Sequence, residues 1–278
     1  MARFTWRHSL KVIFVMGWSD FVLKYRGSFF GYLWSLMGPL VKFLVILYVF
    51  GPYVSPEIPA YPLYLFLGVI LWEHFVTTTT ACINALAEKA GIIQKLIFPR
   101  ILLMFTAGWT NMIIFGTHFF IFFLFAALIG VQPSLHQLLF LVVLIQMFLI
   151  AVGVGMLLAS YSLRYRDIPH LWGIFSSLLF WLTPIMYQIR SEHPLSQQFV
   201  ALFQTGIHVT LFTIFDLFVR FQPLSILVDD ARRILLYPDR LGIPSITHFF
   251  WFSLICLAIF SAGIVVFLRR SRYFVQEY

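Results

Sequence analysis

Two ionisable side chains stand inside apolar runs. Lys42 lies in the run 30–53, and Glu73, followed by His74, lies in the run 61–86. Counted from the ends near Tyr53 and Pro62, each is about eleven residues deep, roughly 16 Å at helical rise. A lone charge at such a depth costs at least about 2.5 kcal/mol. Two readings stand: Lys42 and Glu73 pair across the hairpin, or Lys42 snorkels toward the interface while Glu73 is protonated or faces water.

Other polar groups offer less chemistry. Thr77, Thr78, Thr79 and Thr80 form a polar run that either bonds a neighbouring helix or lines a wet passage. His118 reads as a packing residue, because no second ligand stands at metal spacing. Cys82 and Cys256 are far apart in apolar runs and read as small apolar fillers. Asp20 and Lys24 are one helical turn apart and can pair on a polar face. Trp34, Tyr48, Trp72, Trp109 and Trp181 are candidates for an aromatic path, since ring faces stack on apolar sugar faces and on cations.

The elements that must position these groups are membrane spans. The 278 residues are 61% hydrophobic and only 11% charged, against about 25% charged for a soluble domain. This much apolar surface could not be hidden in one soluble core. Apolar segments occur at 30–53, 61–86, 101–129, 138–163, 171–187 and 249–268. A span needs about 20 residues; the fifth segment is short and stops at Thr183-Pro184. The fold class expected is all-α integral membrane: six transmembrane helices, an N-terminal amphipathic interface helix, and re-entrant or surface helices before the last span. One transmembrane domain, 1–278, holds an interfacial helix (1–28), spans one to five (30–187), an extracytoplasmic region (188–248), span six (249–268) and a cytoplasmic tail (269–278). Arg3, Arg7 and Lys11 form one stripe of the first helix, with Trp6, Ile13 and Met16 on roughly the other side. The pattern blurs past Phe14. No cleavable signal pattern is visible at the N-terminus.

Charge orients the spans. With both termini cytoplasmic, the inner face collects Arg3, Arg7, Lys11, Lys24, Arg26, Lys89, Lys95, Arg100, Arg164, Arg166, Arg269, Arg270 and Arg272 against Asp20, Glu88, Asp167 and Glu277. The region 188–248 has five Arg against five acids, so the excess of basic residues is inside. A further apolar segment, 199–219, is interrupted by Gln204, Gly206, His208 and Asp216. A seventh crossing there would put Arg269, Arg270 and Arg272 outside, so the segment is read as re-entrant or lying at the outer surface. The inner piece 88–100 joins spans two and three and carries Ile92, Ile93, Leu96 and Ile97 at helical spacing before Pro99. Its apolar ridge needs a protein groove or the interface. The turn 164–169 contains Arg166 and Asp167.

In order along the chain stand Lys24-Tyr25-Arg26-Gly27-Ser28 to Leu33-Trp34-Ser35 and Pro39; Tyr61-Pro62 to Trp72; Lys95 to Phe98-Pro99-Arg100; Arg164-Tyr165-Arg166-Asp167-Ile168; Trp181-Leu182-Thr183-Pro184-Ile185-Met186-Tyr187; and Gln222-Pro223-Leu224 to Arg232-Arg233-Ile234-Leu235-Leu236-Tyr237. Together these resemble the membrane subunit of type 2 ABC exporters for polysaccharides, O-antigens and teichoic acids. The resemblance implies a homodimer of six-span subunits in the bacterial cytoplasmic membrane, with a channel between them for a lipid-linked glycan. It implies a separate ABC ATPase subunit dimer that holds ATP and Mg2+, no cofactor in this chain and no nucleic-acid partner. The coupling surface would be Glu88, Lys89, Ile92, Ile93, Lys95, Leu96, Phe98, Pro99 and Arg100, with Arg164, Arg166 and Asp167. Lys24, Arg26 and Lys42 would attract a pyrophosphate head group, and Glu73 would join the path. The chain departs from the family pattern at Lys42, where the family is apolar, and in a longer link over 192–221.

Absences in the sequence point the same way. No GxxxxGK[ST] loop occurs, and the midplane charges form no obvious relay with inverted repeats. A permease of this fold for small hydrophobic drugs, and an integral-membrane enzyme acting on lipid-linked sugars and recruiting Asp229 and Asp230, are the alternatives.

Overall fold

The chain is described by a computed structural model over residues 6–54, 58–89, 91, 99–162, 164–188 and 216–271. Among the described residues the secondary structure is entirely helical. The helices are α1 (Trp6–Tyr25), α2 (Leu33–Val54), α3 (Tyr61–Glu88), α4 (Ile101–Leu128), a 3-10 turn (Leu135–Leu139), α5 (Phe140–Ser162), α6 (Ile168–Leu182), α7 (Pro223–Leu235), α8 (Pro238–Leu241) and α9 (Ile246–Ser271). Five are long and apolar enough to span a membrane: α2, α3, α4, α9 and α5 with the turn before it. The shorter apolar helix α6 has 15 residues, about 22 Å at helical rise. Proline limits it at both ends: Pro169 sits in its first turn, and Thr183-Pro184 stops it.

Helix α3 is the post around which the others stand. Most of its residues from Tyr61 to Trp72 are fully buried. Helix α5 reaches α3 through glycine: a Cβ on Gly155 would meet the Cys82 Cβ at 2.7 Å. Its other side meets α9, where a Cβ on Gly153 would lie 2.8 Å from the Phe260 Cα. Ala151 and Ala159 are fully buried in the same helix. These small residues of α5 therefore serve two partners, because hydrocarbon gives helices no reason to associate beyond tight contact and hydrogen bonding.

Helix α1 lies against α4. Gly17 receives the edge of Trp109, Thr110 Oγ1 donates to the Gly17 carbonyl at 3.2 Å, and Phe14 meets Trp109 edge-on at 4.4 Å. Leu10, Phe14, Val15, Trp18, Val22 and Leu23 remain exposed beside Arg7 and Lys11. The helix is thus apolar around much of its circumference, with little segregation of basic and apolar faces. It ends in an elbow where Gly27 (φ 80°) and Gly31 (φ 48°) adopt left-handed backbone. Helix α2 runs on through Pro39, which lies within it and is buried.

Candidate functional site

Three constellations carry the polar chemistry of the bundle. The first is a wall formed by α2, α3 and α6. Lys42 and Glu73 form an ion pair, and the ammonium also stands 5.2 Å from the ring centre of Phe180. Glu73 is the more enclosed partner, its side chain 18% exposed against 40% for Lys42. Around them, α2 exposes Val41, Leu44, Val45, Tyr48 and Val49, while α6 exposes Leu171, Ile174, Phe175, Leu178 and Trp181. Phe50 and Trp181 meet edge-on at 6.3 Å and join the two faces.

The second is a cavity of about 410 Å³ under the elbow, bounded by α1, α2, α3 and α4. Lys24, Tyr25, Trp34, Ser35, Glu73, His74, Asn111 and His118 line it. His118 Nε2 lies 3.0 Å from the Ser35 carbonyl, and Asn111 Nδ2 donates to the Ala107 carbonyl. Both nitrogens of His74 are buried without a hydrogen bond of ordinary geometry. Burial lowers the Lys24 ammonium from its ordinary value.

The third is a clasp at the far end. Arg232, on the amphipathic helix α7, is 2% exposed. It donates to the carbonyls of Pro184 (2.6 Å), Ile185 (2.7 Å) and Tyr64 (3.2 Å). Gln222 Nε2 donates to the Leu182 carbonyl at 3.0 Å. The carbonyls freed where α6 breaks are therefore satisfied by one arginine and one glutamine. Tyr61 and Tyr64 complete the clasp by donating to the carbonyls of Met186 and Tyr187. Beside it, Asp229 pairs with Arg233 at 2.7 Å and Asp230 with His248 at 2.9 Å. Both acids named for an enzymatic alternative are thus engaged, one along its own helix and one to α9.

The basic residues gather at the opposite end. Lys89 closes α3 and pairs with Asp20 of α1. Arg100, at the start of α4, donates to the Ser271 carbonyl of α9. Arg270 stacks 4.0 Å from the ring centre of Tyr161, and Arg164 and Arg166 are exposed between α5 and α6. Glu88, Lys89, Arg100, Arg164, Arg166 and Asp167 thus belong to helix ends at this pole, with Pro99 exposed beside Arg100. Ile92, Ile93, Lys95, Leu96 and Phe98 lie outside the described residues, as does most of 199–219.

Several expected site residues fall elsewhere. Asp20 pairs with Lys89 and not with Lys24; the end of α3 brings a competing cation to it. Trp72 is 4% exposed and packs against Phe75 and Phe180 inside the bundle. Trp109 belongs to the α1–α4 contact. Neither is on the exposed wall with Tyr48 and Trp181. Trp34 and Lys24 border the elbow cavity, and Arg26 is exposed outside it. Arg232, Gln222, Tyr64 and Gly68 were not singled out as site residues. The available signal was an arginine in the amphipathic helix Pro223–Leu235, which follows a broken span.

These features, a basic pole, a proline-broken fifth apolar helix and an amphipathic helix clasping its end, agree with a sequence comparison. The profile of the ABC-2 type transporter family matches residues 11–204. The chain belongs to that family. This ABC-2 chain is a multi-pass membrane protein, with five helices of spanning length among its described residues. It is 27% identical over 168 residues to the O-antigen export system permease protein RfbA of Myxococcus xanthus. It is 28% identical over 173 residues to the protein of that name from Klebsiella pneumoniae. Each match covers 60% of this chain and 65% of the relative, so just under two thirds of the relatives' length is spanned.

Proposed function

We propose that this ABC-2 chain is the permease subunit of an ATP-driven exporter that moves a lipid-linked polysaccharide of the O-antigen kind across the bacterial cytoplasmic membrane. The observation that carries the reading is the likeness to relatives named O-antigen export permeases, joined to an exposed wall that carries a neutralised ion pair. Two copies face each other through the exposed faces of α2 and α6. The polymer passes between them. Aromatic rings supply stacking surface there, and Lys42 with Glu73 supplies polar contact without net charge.

The motor is a separate ABC ATPase subunit dimer, which holds ATP and its Mg2+. It docks at the basic pole, on the piece 88–100 and the exposed turn at Arg164 and Arg166. That pole faces the cytoplasm, as the excess of Lys and Arg requires. Closure of the ATPase pushes the ends of α3, α4 and α6 together. Because α6 is short and clasped at its far end by Arg232, it moves with α7, and the wall opens between the two copies.

The test is affinity capture of the tagged chain from the cells it comes from, with identification of co-purifying subunits. The reading expects a nucleotide-binding subunit, lost when Lys95 and Arg100 are both replaced by Glu. Capture of the chain without any ATPase, together with unaltered surface polysaccharide in a deletion strain, contradicts it.

A further inference from the structure

We propose that the cavity between α7 and the start of α9 is a site for a bilayer phospholipid, with a zwitterionic phosphoethanolamine head group in the cavity and acyl chains along the exposed face of α9. The site stands at the end of the bundle opposite the basic pole. It is formed by other helices than the α2–α6 wall, so its ligand is a lipid of the surrounding membrane and not the exported polymer.

The cavity holds about 650 Å³, within the roughly 300–1,000 Å³ of small-molecule sites. Both signs of charge line it. Arg220, Arg232 and Arg233 bring three guanidinium groups, and Asp229 and Asp230 bring two carboxylates. Much of this is balanced inside the protein: Arg220 pairs with Asp216, Arg233 with Asp229, and His248 with Asp230. A ligand of one sign would face a like charge in so small a space, whereas a zwitterion meets both signs.

The hydrogen-bonding groups assign the two ends. Ser225 lines the cavity, is 2% exposed, and its hydroxyl has no hydrogen-bond partner. Arg232 lines it too. Its terminal nitrogens are taken by three carbonyls, but its Nε–H makes no hydrogen bond. Buried donors left unmet are costly, and phosphate oxygens accept from both. The acids serve the ammonium. Arg233 and His248 each bond the Oδ2 of their acid, and a carboxylate can accept further bonds. Asp229, with its side chain 49% exposed, is the open one. Ser225 and Asp229 are one helical turn apart on one face of α7, a separation that the two-carbon ethanolamine link spans.

An apolar margin continues the site. Leu241, Ile243 and Pro244 line one side of the cavity. Beyond them Ile246, Phe250 and Leu254 are exposed at four-residue spacing along α9, so they form one stripe. A lipid lying there bridges α7 to α9 beside the clasp that holds the end of α6.

The test is native mass spectrometry of the full chain in detergent, titrated with palmitoyl-oleoyl phosphatidylethanolamine and, separately, with the phosphatidylcholine and phosphatidylglycerol of the same chains. The site predicts saturable binding of one phosphatidylethanolamine. Phosphatidylcholine, whose quaternary nitrogen donates no hydrogen bond, and phosphatidylglycerol, which has no ammonium, bind about fivefold or more weakly. Asp229→Asn weakens phosphatidylethanolamine several-fold and does not weaken phosphatidylglycerol. Ser225→Ala weakens both. Asp239→Asn, an exposed acid at the same pole, changes neither. Soluble glycerophosphoethanolamine bound as tightly as the lipid, with the same losses, supports the cavity and makes the free head group its ligand. Equal binding of the three lipids by the wild-type chain overturns the proposal without any variant. Phosphatidylethanolamine binding that neither Asp229→Asn nor Ser225→Ala weakens overturns it as well. None of these outcomes bears on the exporter reading, which stands or falls on ATPase capture and surface polysaccharide.

Discussion

The guanidinium of Arg232 lies 3.3 Å from the ring centre of Tyr64 while one of its nitrogens bonds the Tyr64 carbonyl at 3.2 Å. One residue of α3 thus offers both a π face and an acceptor to a buried cation. Coulomb attraction, desolvation and geometry all favour arginine here, because only its planar fork reaches three carbonyls at once. The contact is possible because Gly68 leaves room: a Cβ there would sit 2.7 Å from the guanidinium.

Gly68→Ala is therefore expected to destabilise the protein by about 1–3 kcal/mol, as overpacking does. Thermal unfolding in detergent reads it. Arg232→Lys should cost at least as much, since two carbonyls lose their donor. The double variant should cost less than the sum, because the lysine relieves the clash.

Charge reversal tests the pair in the wall. Lys42→Glu or Glu73→Lys alone places two like charges side by side and should abolish surface polysaccharide. The double variant restores opposite charges and should recover a measurable fraction of export. A double variant no better than either single one removes the pair from the mechanism.

Gly263 and Gly153 set the crossing of α5 and α9. A Cβ on Gly263 would lie 2.5 Å from the Gly153 carbonyl oxygen, a backbone atom that cannot swing aside. Gly263→Leu should force the helices apart and yield little monodisperse protein on size exclusion, whereas Gly116→Leu, where added bulk meets open space, should behave as wild type.

Asp230 supplies a pH dependence. Burial raises its carboxyl from 3.8 to about 6, partly offset by the bond from His248. A folded value above the unfolded one means the fold prefers the protonated acid. That contribution is fully present below about pH 4 and is lost as pH rises through about 6. Stability over this window should fall with rising pH, and Asp230→Asn should flatten the slope. Denaturant midpoints at pH 4, 5, 6 and 7 check it.

Depth counting put Lys42 and Glu73 at one level, because α2 ends and α3 starts near the same face; it left pairing and snorkelling both open, and the structure shows the pair. The short α6 was legible too, since prolines mark its limits regardless of context. The partner of Asp20 was not: spacing along a helix names only the neighbour on the same helix, and Lys89 arrives from another. The facing of Trp72 and Trp109 was equally hidden. Neither α3, which carries Trp72, nor α4, which carries Trp109, has a clear apolar stripe, so no periodicity separates their buried rings from exposed ones. Arg232 was visible as a residue, but its role depends on carbonyls freed some fifty positions earlier, which no local pattern connects to it.

The central claim, export of a lipid-linked polysaccharide, is tested most directly by locating the glycan in a strain depleted of this chain. The account predicts that lipid-linked polysaccharide accumulates on the cytoplasmic leaflet while surface polysaccharide disappears, with both reversed by the wild-type chain and not by Glu73→Lys. Surface polysaccharide at its normal level, or loss of the lipid-linked glycan without accumulation, would contradict it.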